Sequence, residues 1–258
     1  MSGPFVRALL VDLEGTIVEA GRPVSGAAAA LAALAANGVP VRFATNTTSR
    51  PRSVLARELA AFGVAAPPER IFTAPRAARE YLLERRWTPA HLLVRDAVRE
   101  DFAGIEHAER SPRAVVVGDL GPETTYERLN AAFRLLLDGA EFVTLARNRY
   151  YRGAEGLLLD QGPFVAALEY ATGRTATLVG KPAPEFFAAA TRDLGVPPEE
   201  IAVVGDDLEA DVGGAQRAGM RGILVRTGKF RADELARSSV RPDAILDSAA
   251  DLPRLFGL

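Results

Sequence analysis

Short runs of Val, Ile and Leu, each stopped by a turn or a polar residue, alternate along this chain with longer stretches of helical periodicity. This alternation limits the fold more than any other feature. A strand buried on both faces reads as a continuous apolar run, so the pattern predicts a parallel sheet with helices on both sides. Strands are predicted over 8–12, 39–45, 114–118, 142–146, 177–179, 201–205 and 222–225, with a shorter one over 244–246. Helices are predicted over 26–36, 51–62, 74–85, 123–137, 163–172, 184–194 and 208–218. The fold class is therefore α/β, with a doubly wound, parallel, Rossmann-like core. Ligands in such sheets bind beyond the carboxyl ends of the strands.

Length and composition narrow the chemistry. A chain of 258 residues holds one large domain or two modest ones. No Gly/Ser-rich linker, internal repeat or low-complexity tract divides it, so a second domain has to be an insertion folded onto the first. The absence of cysteine removes disulfides, thiolate nucleophiles and cysteine-ligated zinc. The two histidines, His91 and His107, lie far in sequence from the acidic motifs and are predicted on the surface, which leaves carboxylates as the main acid/base groups. A net charge of −2 offers no broad basic face, so no nucleic-acid partner is expected. The apolar stretch 5–11 meets Asp12 before it reaches the length of a signal sequence, and no run approaches a membrane span. No membrane partner is expected, and the cytoplasm is the expected location.

The reactive groups fall at strand ends. The first strand runs into "VDLEGT", which puts Asp12 at its carboxyl end and Glu14, Gly15 and Thr16 in the turn that follows. A second ends in "FATNTT" with Thr45 and Asn46, "VGKPAPE" offers Lys181 just before a helix, and "VVGDDLEAD" closes a strand with Asp206 and Asp207, with Asp211 one turn on. Any one strand-end aspartate is as readily a turn or cap residue. Together they crowd one rim with carboxylates, and like charges about 4 Å apart repel by about 4 kcal/mol at an effective dielectric near 20. A bound cation relieves that repulsion. An all-oxygen donor set selects a hard ion, and few carboxylates beside a phosphate point to Mg²⁺.

In order, "DLEGT", "TNTT", "GKP" and "GDDLEAD" resemble the motifs of the haloacid dehalogenase superfamily of phosphohydrolases. The segment "RYYRGAEGLLLDQGPFVAALEYATGR" followed by "LVGKPAPEFF" resembles the NagD-like class with a large α/β cap. Within that class the chain is most similar to the phospholysine phosphohistidine inorganic pyrophosphate phosphatases and their haloacid-dehalogenase-like relatives. The resemblance implies a catalytic core over 1–74 and 178–258 and an inserted cap over 75–177. It implies that Asp12 attacks phosphorus to form an aspartyl phosphate, and that Mg²⁺ is held by Asp12, the Glu14 carbonyl and Asp206, with Asp207 and Asp211 ordering its waters. Thr45 and Lys181 would hold the phosphoryl oxygens, and Asn46 would face substrate or cap. Glu14 departs from the usual aspartate at its position, but the similar "D-x-E-G-T" of enolase-phosphatases implies a general acid/base role; the alternative is a turn residue that contributes only its carbonyl. In the basic and aromatic stretch "RNRYYR", Asn148, Arg149 and Tyr151 are the residues assigned to reading the substrate; stacking of a nucleobase is a second functional reading, and a solvated loop is the structural alternative. "RPRSVLAR", over 50–57, reads as the polar face of a helix.

The expected activity is hydrolysis of a small phosphorylated metabolite, with phosphoamides or inorganic pyrophosphate as the alternative substrates. Carbon–halogen hydrolysis needs no metal, so the acidic cluster argues against it. A catalytically weak protein that binds a phospho-ligand or a partner is the remaining alternative, favoured only by Glu14. By analogy the resemblance admits a homodimer through the cap.

Overall fold

The computed structural model describes residues 6–153 and 156–258, with backbone only for Arg152 and Gly153. Phe5, at the head of the first apolar stretch, and Ala154 and Glu155, within the segment that resembles the cap, lie outside the described residues. The chain divides into two compact units. One contains the described residues up to Thr45, then Arg52–Phe72 and Lys181–Leu258; the other contains Asn46–Pro51 and Thr73–Gly180.

The first unit is built on a six-stranded sheet in the spatial order Ala244–Leu246, Arg221–Val225, Ile201–Gly205, Ala8–Asp12, Val41–Thr45, Ile71–Thr73. From Ala8–Asp12 the chain builds outward to one side and returns much later to build the other, so the strand order reverses between Ala8–Asp12 and Ile201–Gly205. That reversal opens the crevice in which doubly wound sheets place their ligands. Every residue of these two central strands is buried, as continuous apolar runs require. The pairs beside them are parallel, with Val11 level with Val204 and with Phe43. One core joins Leu9, Val11, Ile17, Phe43, Val204 and Ile223 to Leu34 of helix Ala27–Ala36, Leu55 and Leu59 of helix Arg52–Ala61, and Leu252 near the carboxyl end. Each fully buried leucine of this set contributes about 1.5–3 kcal/mol.

The second unit carries a four-stranded parallel sheet in the order Thr177–Leu178, Glu141–Thr144, Ala114–Val117, Ala90–Leu93. Alternate side chains go to opposite faces. Leu92, Val94, Val116 and Val143 pack with Ala78 and Leu82 of helix Ala74–Arg85, whereas Leu93, Val115, Val117 and Phe142 pack with helices Tyr126–Leu137 and Gly162–Thr172. An antiparallel hairpin pairs Tyr150–Gly153 with Gly156–Leu159. Among the described residues no helix is long and apolar enough to cross a membrane.

The structure corrects several predicted elements. Strands Ile71–Thr73 and Ala90–Leu93, the hairpin just described and helix Ala232–Arg237 were not predicted. The first is three residues long and the second is interrupted in pattern by His91. His91 itself is buried, not on the surface: it stands on an edge strand, and the segment around His107 runs alongside it. The predicted helix over 208–218 is two pieces, a π-helical turn Leu208–Gly213 followed by a short α-helix Gly214–Arg217.

Candidate active site

Parallel register brings the strand-end residues of the first unit to one level. Asp12 lies beside Ala44, so Thr45 comes one residue further along the neighbouring strand. On the other side Val204 is level with Val11, and Asp206 follows the last strand residue, Gly205. The wide turn over Leu208–Gly213 then aims Asp211 back at the rim. The Asp207 side chain starts that turn by accepting from the amides of Glu209 (3.2 Å) and Ala210 (2.9 Å). The Asp211 carboxylate packs so tightly on Gly205 that a β-carbon there would lie 2.1 Å from Asp211 Oδ2. Single π-turns recur at functional sites.

Lys181 ties the group together. Its Nζ donates to Asp12 Oδ1 at 2.5 Å and to Asp211 Oδ1 at 2.6 Å, and all three side chains are buried. Burial alone disfavours the ammonium, but the Asp12 and Asp211 carboxylates outweigh it and hold Lys181 charged well above the ordinary lysine range. Burial, helped by the nearby Asp211 and Asp206 carboxylates, pushes the Asp12 carboxyl well above its ordinary value against the pull of Lys181. Asp206 rises to about 6, chiefly by burial, with the Lys229 amide opposing and Asp211 adding repulsion.

Asp12, Asp206 and Asp211 each offer an oxygen within 4.8 Å of the others. Three buried carboxylates facing one ammonium leave two negative charges uncompensated, which is the charge of one divalent cation. The donors are all oxygen, as a hard divalent ion requires. These residues therefore fit a divalent metal by charge, donor type and spacing.

Glu14 is exposed in the turn after Asp12, and Thr45 is buried at its strand end. The Asp207 carboxylate stands outside the three-residue group and, besides capping the turn, accepts from Lys229 Nζ at 2.9 Å. Burial raises its pKa, but Lys229 outweighs that and holds it below the ordinary carboxylate value. Asn46, Asn148, Arg149 and Tyr151 belong to the second unit, where the last three are exposed. Arg147, in the same stretch, is a structural residue that donates to Glu169 at 2.5 and 3.1 Å and to the Ala176 carbonyl.

Residues 227–229, which the sequence reading passed over, also reach this rim. Thr227 Oγ1 donates to the Gly15 carbonyl at 2.5 Å, the Gly228 amide to Glu19 Oε1 at 3.0 Å, and the Lys229 amide to Asp206 Oδ2 at 2.7 Å. "RTGKF" carries no acidic group and matches no motif, so only its position after a core strand pointed to it.

A second histidine and carboxylate group, His91, His107 and Glu109, lies in the other unit. The Leu92 amide donates to His107 Nδ1 at 3.1 Å, which leaves the ring proton on Nε2, where it is donated to Glu109 at 2.8 Å. A metal needs that Nε2 lone pair, so the three residues form a hydrogen-bonded edge of the sheet and not a preformed metal site.

Residues 9–106 match the family described as Haloacid dehalogenase-like hydrolase, and residues 178–252 match a second, HAD-hydrolase-like family. The chain is 48% identical over 230 residues to human Haloacid dehalogenase-like hydrolase domain-containing protein 2, covering 89% of this chain and 87% of that one. It is 37% identical to human Phospholysine phosphohistidine inorganic pyrophosphate phosphatase over 252 residues, 95% of this chain and 92% of the other. Among solved structures, 4-nitrophenylphosphatase from Thermotoga maritima superposes with a TM-score of 0.89 at 30% identity, covering 96% of this chain and 97% of that one. NagD from E. coli gives a TM-score of 0.89 at 26% identity, covering 96% and 98%. With likeness of this degree along nearly its whole length, the chain belongs to the haloacid dehalogenase-like hydrolase family, in its NagD-like class.

Proposed function

We propose that the protein is a Mg²⁺-dependent phosphatase that hydrolyses a small phosphorylated metabolite through an aspartyl-phosphate intermediate. That it is an enzyme, a phosphohydrolase, agrees with its family and with the phosphatases among its relatives. The observation that carries the finer reading is the Lys181 ammonium bonded to both Asp12 and Asp211 beside a third buried carboxylate, Asp206.

In this reading Asp12, the Glu14 carbonyl and Asp206 hold the ion, with Asp207 and Asp211 around them. When bound, the ion offsets the excess carboxylate charge and stabilises charge on the phosphoryl oxygens. Lys181 fixes the Asp12 carboxylate in one orientation, as a near-attack geometry requires. An ionised Asp12 oxygen forms a bond to phosphorus as the bond from phosphorus to the leaving oxygen breaks. Water then attacks the same phosphorus, the Asp12–phosphorus bond breaks, and phosphate leaves. Lys181 and Thr45 hold equatorial oxygens throughout. Glu14, exposed two residues from the nucleophile, gives a proton to the leaving oxygen and takes one from the attacking water. Asn46, Asn148, Arg149 and Tyr151 read the rest of the substrate. The substrates named for one relative, phosphoamides and inorganic pyrophosphate, are the alternative.

The test is turnover of p-nitrophenyl phosphate and a panel of natural phosphates with Mg²⁺ and then with EDTA. The expected rate depends on metal and falls by at least about a thousandfold in Asp12→Asn. A protein that binds phosphate ligands but turns over none, with or without Mg²⁺, would overturn the reading.

A further inference from the structure

Two stretches of backbone converge on the Asp206 carboxylate. A β-carbon added at Gly15 would lie 1.9 Å from Asp206 Oδ2, and one added at Gly228 would lie 2.0 Å from the same oxygen and 2.5 Å from the Gly15 α-carbon. Neither position has room for a side chain. The turn after the nucleophile and the loop after strand Arg221–Val225 therefore touch directly, with one oxygen of Asp206 pressed between them. Two further bonds lock this contact. Thr227 Oγ1 holds the Gly15 carbonyl, and the Lys229 amide holds Asp206 Oδ2.

We infer that the loop 227–229 is a positioning device for the divalent ion, in which Thr227 sets the turn that carries Asp12 and the Glu14 carbonyl, and the Lys229 amide fixes the Asp206 carboxylate opposite it. The inference rests on the metal reading of the site given above. Its physical basis is a matter of degrees of freedom. Asp206 has two equivalent oxygens and a rotatable carboxylate, and an amide bonded to Oδ2 removes that freedom before any ion arrives. The Gly15 carbonyl is adjacent in the chain to the proposed carbonyl ligand at Glu14, so a hydroxyl that pins Gly15 also restricts the peptide before it. Thr227 touches neither the ion nor the reacting atoms. It acts through the turn, and its loss shows first in metal affinity.

The experiment measures Mg²⁺ binding by calorimetry, and the Mg²⁺-induced rise in Tm, for the wild type, Thr227→Val, Thr227→Ser and Thr191→Val. Thr191 is the matched control, because its hydroxyl also donates to a backbone carbonyl, that of Phe187, at 2.8 Å within the same unit but on helix Pro184–Leu194, away from the loop. The expected result is Mg²⁺ binding about tenfold weaker in Thr227→Val, at the lower end of the range for residues that orient metal ligands. Thr227→Ser should bind within about twofold of the wild type, since it keeps the donor, and Thr191→Val should do the same. Magnesium affinity unchanged in Thr227→Val, or lowered equally in Thr191→Val, or not restored by serine, overturns the inference while leaving the metal reading intact. A wild type that binds no Mg²⁺ overturns both. Should Thr227→Val fail to fold, Thr227→Ala is measured in its place against the same limits.

Discussion

Lys181 is the residue on which the charge balance of the site turns. Replacing it with methionine keeps the volume but leaves Asp12 and Asp211 buried without their shared ammonium. Breaking a buried pair in this way costs about 3–5 kcal/mol. Denaturant titration in EDTA is expected to show that loss, with Mg²⁺ recovering part of it. Glu14→Gln bears on a different step. If the side chain protonates the leaving oxygen, the variant loses most rate on substrates whose leaving groups are poor and least on p-nitrophenyl phosphate. Equal rates across leaving groups would assign Glu14 to the turn alone. Asp12, Lys181, Asp206 and Asp211 were legible as a constellation because the first three are charged residues just beyond apolar runs and Asp211 follows Asp206 by one turn. Thr227 was not, because a single hydroxyl in a polar loop has no distinguishing pattern; its role comes from a contact 212 residues away in the chain.

Among the elements, the glycine-lined turns are the most exacting. Gly228 has φ +61° and no space for a β-carbon, so Gly228→Ala should cost about 2 kcal/mol or more and weaken Mg²⁺ binding. Gly38 has φ +70° and open space around it, so Gly38→Ala should carry only the backbone cost of about 1 kcal/mol and leave Mg²⁺ binding unchanged. Comparing the two by thermal denaturation separates strain from crowding. The central strands were readable to the residue, since 8–11 and 201–205 are apolar throughout and are followed directly by Asp12 and Asp206. The short strand Ile71–Thr73 was not, because three residues are too few to establish a period. The π-turn at Leu208–Gly213 was also hidden: its sequence reads as ordinary helix, and the widening goes with the bond of Asp211 to Lys181, a contact across the chain.

At the scale of the whole molecule, the acidic rim makes stability depend on both pH and metal. Asp206 has a folded pKa of about 6, above its ordinary 3.8, so the folded state binds protons more readily than the unfolded one. For such a group stability is greatest below about pH 4 and falls as pH rises through about 6, by on the order of 3 kcal/mol. In EDTA, Tm followed against pH is expected to fall across that window in the wild type relative to Asp206→Asn. Mg²⁺ should restore the wild type above pH 6 and leave the variant little changed. A wild type and variant with parallel profiles in EDTA would refute this account of the rim.

The arrangement of the main sheet also matters for a chain emerging from a ribosome. Ala8–Asp12 is made long before one of its two neighbours, Ile201–Gly205, which lies nearly 190 residues further along the chain. Until then the innermost strand has one raw, apolar flank. Long-range parallel pairing of this kind forms slowly and leaves sticky intermediates. Nascent chains arrested near residue 180 should therefore need a holding chaperone, and would carry Asp12 without Lys181, Asp206 and Asp211.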